Sequence, residues 1–251
     1  MPTDYPKALY DNRLDDATPA ASTTAAGYSV LNLREWRPYT AWQPTALPAT
    51  VTVDCGSAKA ADYWAVYEHD LFTQGATIQL RGSTDNFAAS DVLVDTVTPT
   101  SDAPFVRFIA STSYRYWRLR ITGTTMPTLG IAAMGVAFDI PAYLSSGFDP
   151  IGRKVKGQSN RSELGHPLGR TVMYEAWEEG LSFECLSWSW LRADWLTAWR
   201  EHLRDEPFLF MWDPTGHPAE IHLAAVKDEF KSPHQPGSYT SLSLTLYAVV
   251  S

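Results

Sequence analysis

The residues best suited to binding chemistry lie in an aromatic and arginine-rich segment, residues 36–42, which reads Trp-Arg-Pro-Tyr-Thr-Ala-Trp. Pro38 restricts the residue before it, so the segment is predicted to be extended or turned. Exposed Trp and Tyr rings stack on the faces of sugars, whereas Arg and Asp form hydrogen bonds with hydroxyl groups. The pattern therefore predicts a surface that contacts carbohydrate or protein. The residues predicted to bind a glycan or a partner are Trp36, Arg37, Tyr39, His69 and Asp70.

The same residues also fit a purely structural role. Trp36 and Trp42 are suited to plug one end of a β-sheet core, because tryptophan is highly buried on average. For Trp42 this structural role is favoured, and for Arg37 and Tyr39 both interpretations stay open. Trp36 is the main tryptophan that we expect at the surface.

The chain carries no recognisable catalytic motif. It lacks the G-x-S-x-G elbow, the phosphate-binding loop, the H-E-x-x-H pair and the G-x-G-x-x-G fingerprint. His217 and His222 have no further ligand at the spacing of a zinc site. Glu178 and Glu179 are adjacent in a predicted hairpin turn, where their side chains point apart, so they do not suit glycoside hydrolysis. The sequence therefore predicts a protein that is not an enzyme, with no metal site and no cofactor.

Length and charge exclude further classes. The chain has 251 residues, with 20 Lys and Arg against 28 Asp and Glu, for a net charge of −8. Nucleic-acid binders need clustered basic residues to neutralise phosphates, so we expect no nucleic-acid partner. No run of about 18 apolar residues occurs, which predicts no membrane span. Residues 1–16 lack the apolar core of a secretion signal, so we expect folding in the cytoplasm.

The first half of the chain has the period of β-strands. Val51 and Val53 alternate with polar residues, and Trp117 and Leu119 share a face within residues 114–121. Strands are predicted at 50–56, 63–67, 77–82, 91–97, 105–109, 114–121 and 131–138. Short strands separated by turn-forming residues indicate an all-β sandwich.

The second half combines strands with one helix. Leu191, Trp195 and Trp199 recur every four residues, which predicts an amphipathic helix that starts near Ser189 and ends before Pro207. Strands are predicted at 170–175, 181–186, 208–212, 221–226 and 241–249, with a hairpin turn at 178–180. This half is therefore predicted to be a smaller β domain with one α-helix.

Several motifs in residues 30–138 occur in an order known from one protein family. They are Val-Leu-Asn-Leu at 30–33, Trp42, Val-Thr-Val-Asp-Cys-Gly at 51–56, Gly-Ala-Thr-Ile-Gln-Leu-Arg-Gly-Ser-Thr-Asp at 75–85 and Tyr-Arg-Tyr-Trp-Arg-Leu at 114–119. This order resembles the discoidin, or coagulation-factor C-type, family. The resemblance implies a jelly-roll, galactose-binding-like β-sandwich.

The chain as a whole resembles a group of tailed-bacteriophage virion proteins. The matching stretches are Gly-Phe-Asp-Pro at 147–150, Asn-Arg-Ser-Glu-Leu-Gly-His-Pro-Leu-Gly-Arg at 160–170 and Pro-Phe-Leu-Phe-Met-Trp-Asp at 207–213. The second half is similar to the β domains of siphophage distal tail and baseplate proteins, which form a ring beneath the tail tube. The resemblance implies a virion protein that is assembled in the host bacterial cytoplasm. The implied partners are tail-tube, hub and baseplate proteins and further copies of the chain in a ring.

The predicted organisation thus has three parts. Residues 1–28 form an N-terminal arm that could lie across an adjacent subunit, residues 29–141 form the discoidin-like sandwich, and residues 142–251 form the small β domain that makes tail-assembly contacts. The main functional hypothesis is a structural protein of a phage tail tip or baseplate. The alternative is a carbohydrate-binding module for a host cell-surface glycan. A cell-wall hydrolase is the third hypothesis, although no acid, base or nucleophile can be assigned.

Overall fold

The computed structural model describes residues 4–249 of the chain. The protein is mainly β, as the sequence predicts, and its antiparallel strands form two sheets. The chain divides into two units. In the described residues, the first unit is Leu9–Phe138, and the second combines Asp4–Ala8 with the residues from Asp139 onward. None of the helices within residues 4–249 is both long and apolar enough to cross a membrane.

The secondary structure is dominated by strands. In chain order they are β1 (Lys7–Leu9), β2 (Ala20–Ala21), β3 (Ala49–His69), β4 (Thr77–Ser83), β5 (Val92–Val97), β6 (Phe105–Thr122), β7 (Leu129–Gly135), β8 (Phe138–Asp139), β9 (Lys154–Arg161), β10 (Pro167–Ser187), β11 (Phe208–Met211), β12 (His222–Val226) and β13 (Tyr239–Val249). Short 3₁₀ helices cover Arg13–Asp15 and Val30–Arg34. A longer helix over residues 188–203 alternates between α and π geometry.

The first unit is a β-sandwich built on two long strands, β3 and β6, which pair with each other in two separate stretches. Val51 lies opposite Leu119 in one stretch and Trp64 opposite Arg107 in the other, with a register shift between them. Such irregularities bend a strand and let it pass from one layer to the next. Strand β7 pairs with the second stretch of β3, whereas β4 pairs with β6. The largest fully buried side chains of this core include Trp42, Trp64 and Trp117.

The second unit is built on a seven-stranded sheet with the order β8-β1-β11-β12-β13-β10-β9. The predicted helix is confirmed, and Leu191, Trp195 and Leu203 lie on its buried face. Its cap is Ser187 and not the predicted Ser189, because the Ser187 Oγ accepts a hydrogen bond from the Trp190 N–H at 3.2 Å.

The structure describes residues 4–28 of the predicted N-terminal arm, of which residues 6–9 and 12–14 are buried and most of residues 15–28 are exposed. Residues 1–3 lie outside the described range. Strand β1 is buried and belongs to the seven-stranded sheet, and Lys7 forms an ion pair with Asp139. This stretch is polar in composition, but its apolar side chains Leu9 and Leu14 are buried as well.

The predicted hairpin turn at residues 178–180 is wrong. Strand β10 runs through it, with Glu178 opposite Tyr247 and Gly180 opposite Thr245. The Glu178 carboxylate lies 2.8 Å from the Lys227 Nζ and 3.3 Å from the Lys154 Nζ, so it is neutralised within the sheet. The first half of strand β10 instead forms a hairpin with the preceding strand, β9. The turn of that hairpin lies at residues 162–166.

Candidate functional site

Trp36, the tryptophan expected at the surface, is buried. Its side chain is 3% exposed. It follows the 3₁₀ helix Val30–Arg34 and its C-cap Glu35, and its φ of 54° is in the left-handed region. A left-handed residue reverses the chain at a helix end. The indole face is therefore not presented to a ligand at the surface, and Trp36 does not form part of an exposed site.

Arg37 and Tyr39 do lie at the surface. Tyr39 is 80% exposed, and the Arg37 Nη1 lies 3.5 Å from the Glu35 Oε2. The Asn32 Nδ2 donates to the Ala41 carbonyl oxygen at 2.7 Å, which holds the end of the segment. These two exposed side chains are therefore carried on an anchored turn and remain available to a ligand.

His69 and Asp70 make contacts inside the first unit. His69 is buried, its ring lies 5.5 Å from that of Phe105, and burial lowers the pKa of His69. The Asp70 Oδ1 accepts a hydrogen bond from the Thr128 N–H at 2.6 Å. Both side chains are thus engaged in holding the loops around β7.

Strand β7 brings the two predicted segments to the same place. Trp42 exchanges two backbone hydrogen bonds with Leu129, at 2.8 and 2.9 Å, and His69 pairs with Leu129 from the other side. Trp42 is buried, as favoured from the sequence, and its Nε1 donates to the Thr24 Oγ1 at 3.2 Å. The two segments are therefore neighbours, and the side chains of Trp42 and His69 are buried where they meet.

A second surface is the hairpin made by β9 and the first half of β10. We call residues 154–175 the hairpin arm. Every side chain in it is exposed or half-buried, and none is buried. The large apolar side chains exposed on the arm are those of Leu164, Leu168, Val172, Met173 and Tyr174. Strand β9 is polar, with Val155 as its one aliphatic side chain, and it contains Gly157, so strand periodicity alone did not reveal the first half of the hairpin.

A third surface is a cleft in the second unit, with a volume of about 550 Å³. We call it the aromatic cleft. Its aromatic side chains are Tyr143, Phe148 and Trp212, and its carboxylates are those of Asp4 and Asp213. The Phe148 and Trp212 rings lie 5.6 Å apart, and the Trp212 Nε1 donates to the Glu220 Oε2 at 2.6 Å. From the sequence, residues 145–152 and 213–216 are predicted only to form turns. The cleft forms because these two turns lie next to each other in the folded chain.

Residues 4–249 contain no group of three or more His, Cys, Asp or Glu side chains arranged to hold an ion.

Comparison with known proteins gives only structural similarities. No protein-family model and no curated protein matches the sequence. The solved structures similar to this chain include carbohydrate-binding modules. One is chitosan-binding module 1 from a chitosanase/glucanase of Paenibacillus sp. IK-5, at 17% identity and a TM-score of 0.42, which covers 49% of this chain and 97% of that one.

Two further solved structures are similar to this chain at comparably low identity and TM-score. The family 32 module of Clostridium perfringens NanJ, solved with galactose, is 12% identical with a TM-score of 0.42, and covers 51% of this chain and 98% of that one. A GH29 fucosidase of Ruminococcus gnavus is 10% identical with a TM-score of 0.44, and covers 52% of this chain but 28% of that one. The similar modules thus correspond in length to about half of this chain.

Proposed function

We propose that the chain is a non-catalytic structural protein of a bacteriophage tail tip or baseplate, and that it assembles with further copies of itself. The observation that carries this proposal is the hairpin arm, which contains no buried residue. A two-stranded hairpin is marginally stable alone in water, and large exposed apolar patches mark contact surfaces. An arm of this kind is stabilised when another subunit covers its apolar side chains.

The positions of the tail-protein motifs support the same proposal. The stretch at 160–170 falls on the end of the hairpin arm, and the stretches at 147–150 and 207–213 contribute Phe148, Trp212 and Asp213 to the aromatic cleft. The stretches that resemble phage tail proteins thus include part of the hairpin arm and part of the aromatic cleft, whereas Phe208–Met211 form the buried strand β11. Under this proposal the protein resides in the virion, and its partners are tail-tube, hub and baseplate proteins.

The purified full-length chain is expected to form a discrete oligomer with closed symmetry, because repeated identical contacts produce rings when the rotation between subunits closes. Light scattering coupled to size-exclusion chromatography measures the mass, and electron microscopy of negatively stained particles shows the shape. A chain that remains monomeric at all concentrations and is missing from washed virions contradicts the proposal.

The second candidate function is recognition of a host cell-surface glycan by the first unit. The observation that favours it is the exposed pair Arg37 and Tyr39, which combines a ring face with hydrogen-bond donors. The two functions are compatible, because a fold does not determine what its surfaces bind.

Removing this pair is expected to abolish measurable glycan binding. If the pair forms the site, Arg37→Ala and Tyr39→Ala each weaken the affinity for host polysaccharide by about tenfold or more, since a stacked ring or a paired guanidinium contributes about 1–2 kcal/mol. Isothermal titration calorimetry measures the affinity. The matched control is Tyr239→Ala, which removes an exposed tyrosine from the second unit. Equal binding by all variants rules out this site.

A further inference from the structure

The aromatic cleft is acidic as well as aromatic. Asp4 and Asp213 line it, and its described lining residues include no Lys or Arg. The Asp4 Oδ1 accepts a hydrogen bond from the Thr215 Oγ1 at 2.8 Å, and the Asp213 Oδ1 accepts one from the Gly216 N–H at 2.8 Å. These bonds hold both carboxylates in place at the cleft.

The hairpin arm has the opposite charge. It carries four basic side chains against two acidic ones, of which Glu163 lies in its turn, and its net charge is +2 in a chain whose net charge is −8. Arg161 is the basic residue nearest the turn of the arm, since it pairs with Pro167 across the hairpin. Its side chain is exposed and has no ion pair within residues 4–249. Leu164, in the turn itself, is 85% exposed.

We propose that the aromatic cleft receives the end of the hairpin arm of a second copy of this chain, with Arg161 of that copy between the cleft's rings and carboxylates. A guanidinium pairs with carboxylates and stacks on aromatic faces, and Tyr143 presents an exposed ring in the cleft. Leu164 adds an apolar contact beside Phe148. This inference rests on the proposed assembly function and names the contact that carries it.

The edge of the sheet is a poorer contact than the end of the arm. Strand β9 is an edge strand, and Lys154 and Lys156 lie on it. Lysines on an edge disfavour the addition of another strand. The contact therefore includes the end of the arm, with Leu164 and Arg161, and does not add a strand to the outer edge of β9. Because the arm and the cleft are different surfaces, the contact is head-to-tail and generates a ring or a filament.

Charge reversal on either surface is expected to weaken self-association by about tenfold or more, because like charges then face each other in the contact. The variants are Arg161→Glu and Asp4→Arg, and sedimentation velocity measures the association constants. Asp4 is chosen for substitution and not Asp213, because the Asp213 carboxylate closes a turn by accepting a hydrogen bond from the Gly216 N–H. The matched control is Arg200→Glu, which makes the same Arg-to-Glu change at an exposed position of the second unit that belongs to neither the arm nor the cleft.

Mixing the two variants provides the decisive result. The Arg161→Glu chain retains an intact cleft and the Asp4→Arg chain retains an intact arm, and the two reversed charges are opposite in sign where they meet, so an equimolar mixture is expected to regain the association that each variant alone has lost. If both variants assemble like the wild type, the cleft is not the receptor, even though the proposed assembly function stands. If the wild-type chain does not assemble, the proposed function and this inference both fail. A mixture that stays monomeric, while each variant is folded by circular dichroism, also overturns the inference.

Discussion

Met173→Glu is expected to convert the assembled protein into monomers while leaving the fold of each monomer unchanged. Met173 is 72% exposed and lies on the hairpin arm, where it makes no core contact to lose. In an assembly that covers the arm, the substituted carboxylate becomes buried without a partner, which costs a few kcal/mol. Association therefore weakens by roughly 100-fold, since each 1.4 kcal/mol is about tenfold. Sedimentation velocity over a range of concentrations measures this change.

The control for this experiment is Met126→Glu, the same substitution at an exposed methionine of the first unit. It changes the net charge equally, so it separates a local effect of the arm from a general effect of charge. An oligomer that survives Met173→Glu with an unchanged association constant shows that the arm does not make the contact. Unfolding curves for both variants should match that of the wild type, because surface substitutions usually change stability by less than about 0.5 kcal/mol.

The result for Met173→Glu also helps to interpret the charge reversal at Arg161. Loss of assembly in Met173→Glu but not in Arg161→Glu means that the flank of the arm makes the contact and the aromatic cleft does not. Loss in both variants means that the arm and its end act together. The two substitutions thus locate the interface along one hairpin, between Arg161 in β9 and Met173 in β10.

Strand periodicity was sufficient to predict the core of the first unit. Val51, Val53, Trp117 and Leu119 alternate with polar residues, and all four are buried. Alternation predicts burial because successive side chains of a strand point to opposite faces. Trp42, favoured for a structural role because tryptophan is usually buried, is buried beside β7. Local sequence therefore determines most of this sandwich.

The features that sequence did not predict depend on distant partners. Glu178 looks like a turn residue, but Lys154 and Lys227 neutralise it inside a continuous strand. Trp36 looks exposed because it neighbours Arg37, but a positive φ takes it into the core. The aromatic cleft joins Asp4 to residues more than 130 positions away along the chain. No local pattern encodes such meetings, so the cleft could not be predicted from residue spacing.

Trp64→Ala is expected to destabilise the first unit by about 3–5 kcal/mol, the usual cost of removing a large aromatic side chain from a core. Trp64 is fully buried on β3, and its ring meets that of Phe105 edge-on at 5.3 Å. Its Nε1 also donates to the Asp95 Oδ2 at 2.9 Å. Urea denaturation followed by circular dichroism and fluorescence measures the free energy of unfolding of each unit.

Trp64→Phe is the matched control, because it keeps most of the ring packing and removes the indole N–H. Asp95 still accepts a hydrogen bond from the Arg107 Nε at 3.1 Å, so we expect a loss of about 1 kcal/mol from the missing bond, together with a smaller packing loss. A loss in Trp64→Ala no larger than that in Trp64→Phe contradicts a role for this indole in the core.

The Trp64→Ala variant also separates the contributions of the two units to assembly. The hairpin arm and the aromatic cleft both belong to the second unit, so Trp64→Ala is expected to assemble like the wild type under conditions in which its first unit is still folded. It should also leave the unfolding transition of the second unit in place, because that unit has its own buried core around Trp177 and Phe210. If Trp64→Ala dissociates as Met173→Glu does, the first unit makes contacts that the assembly requires, and the arm alone does not account for it.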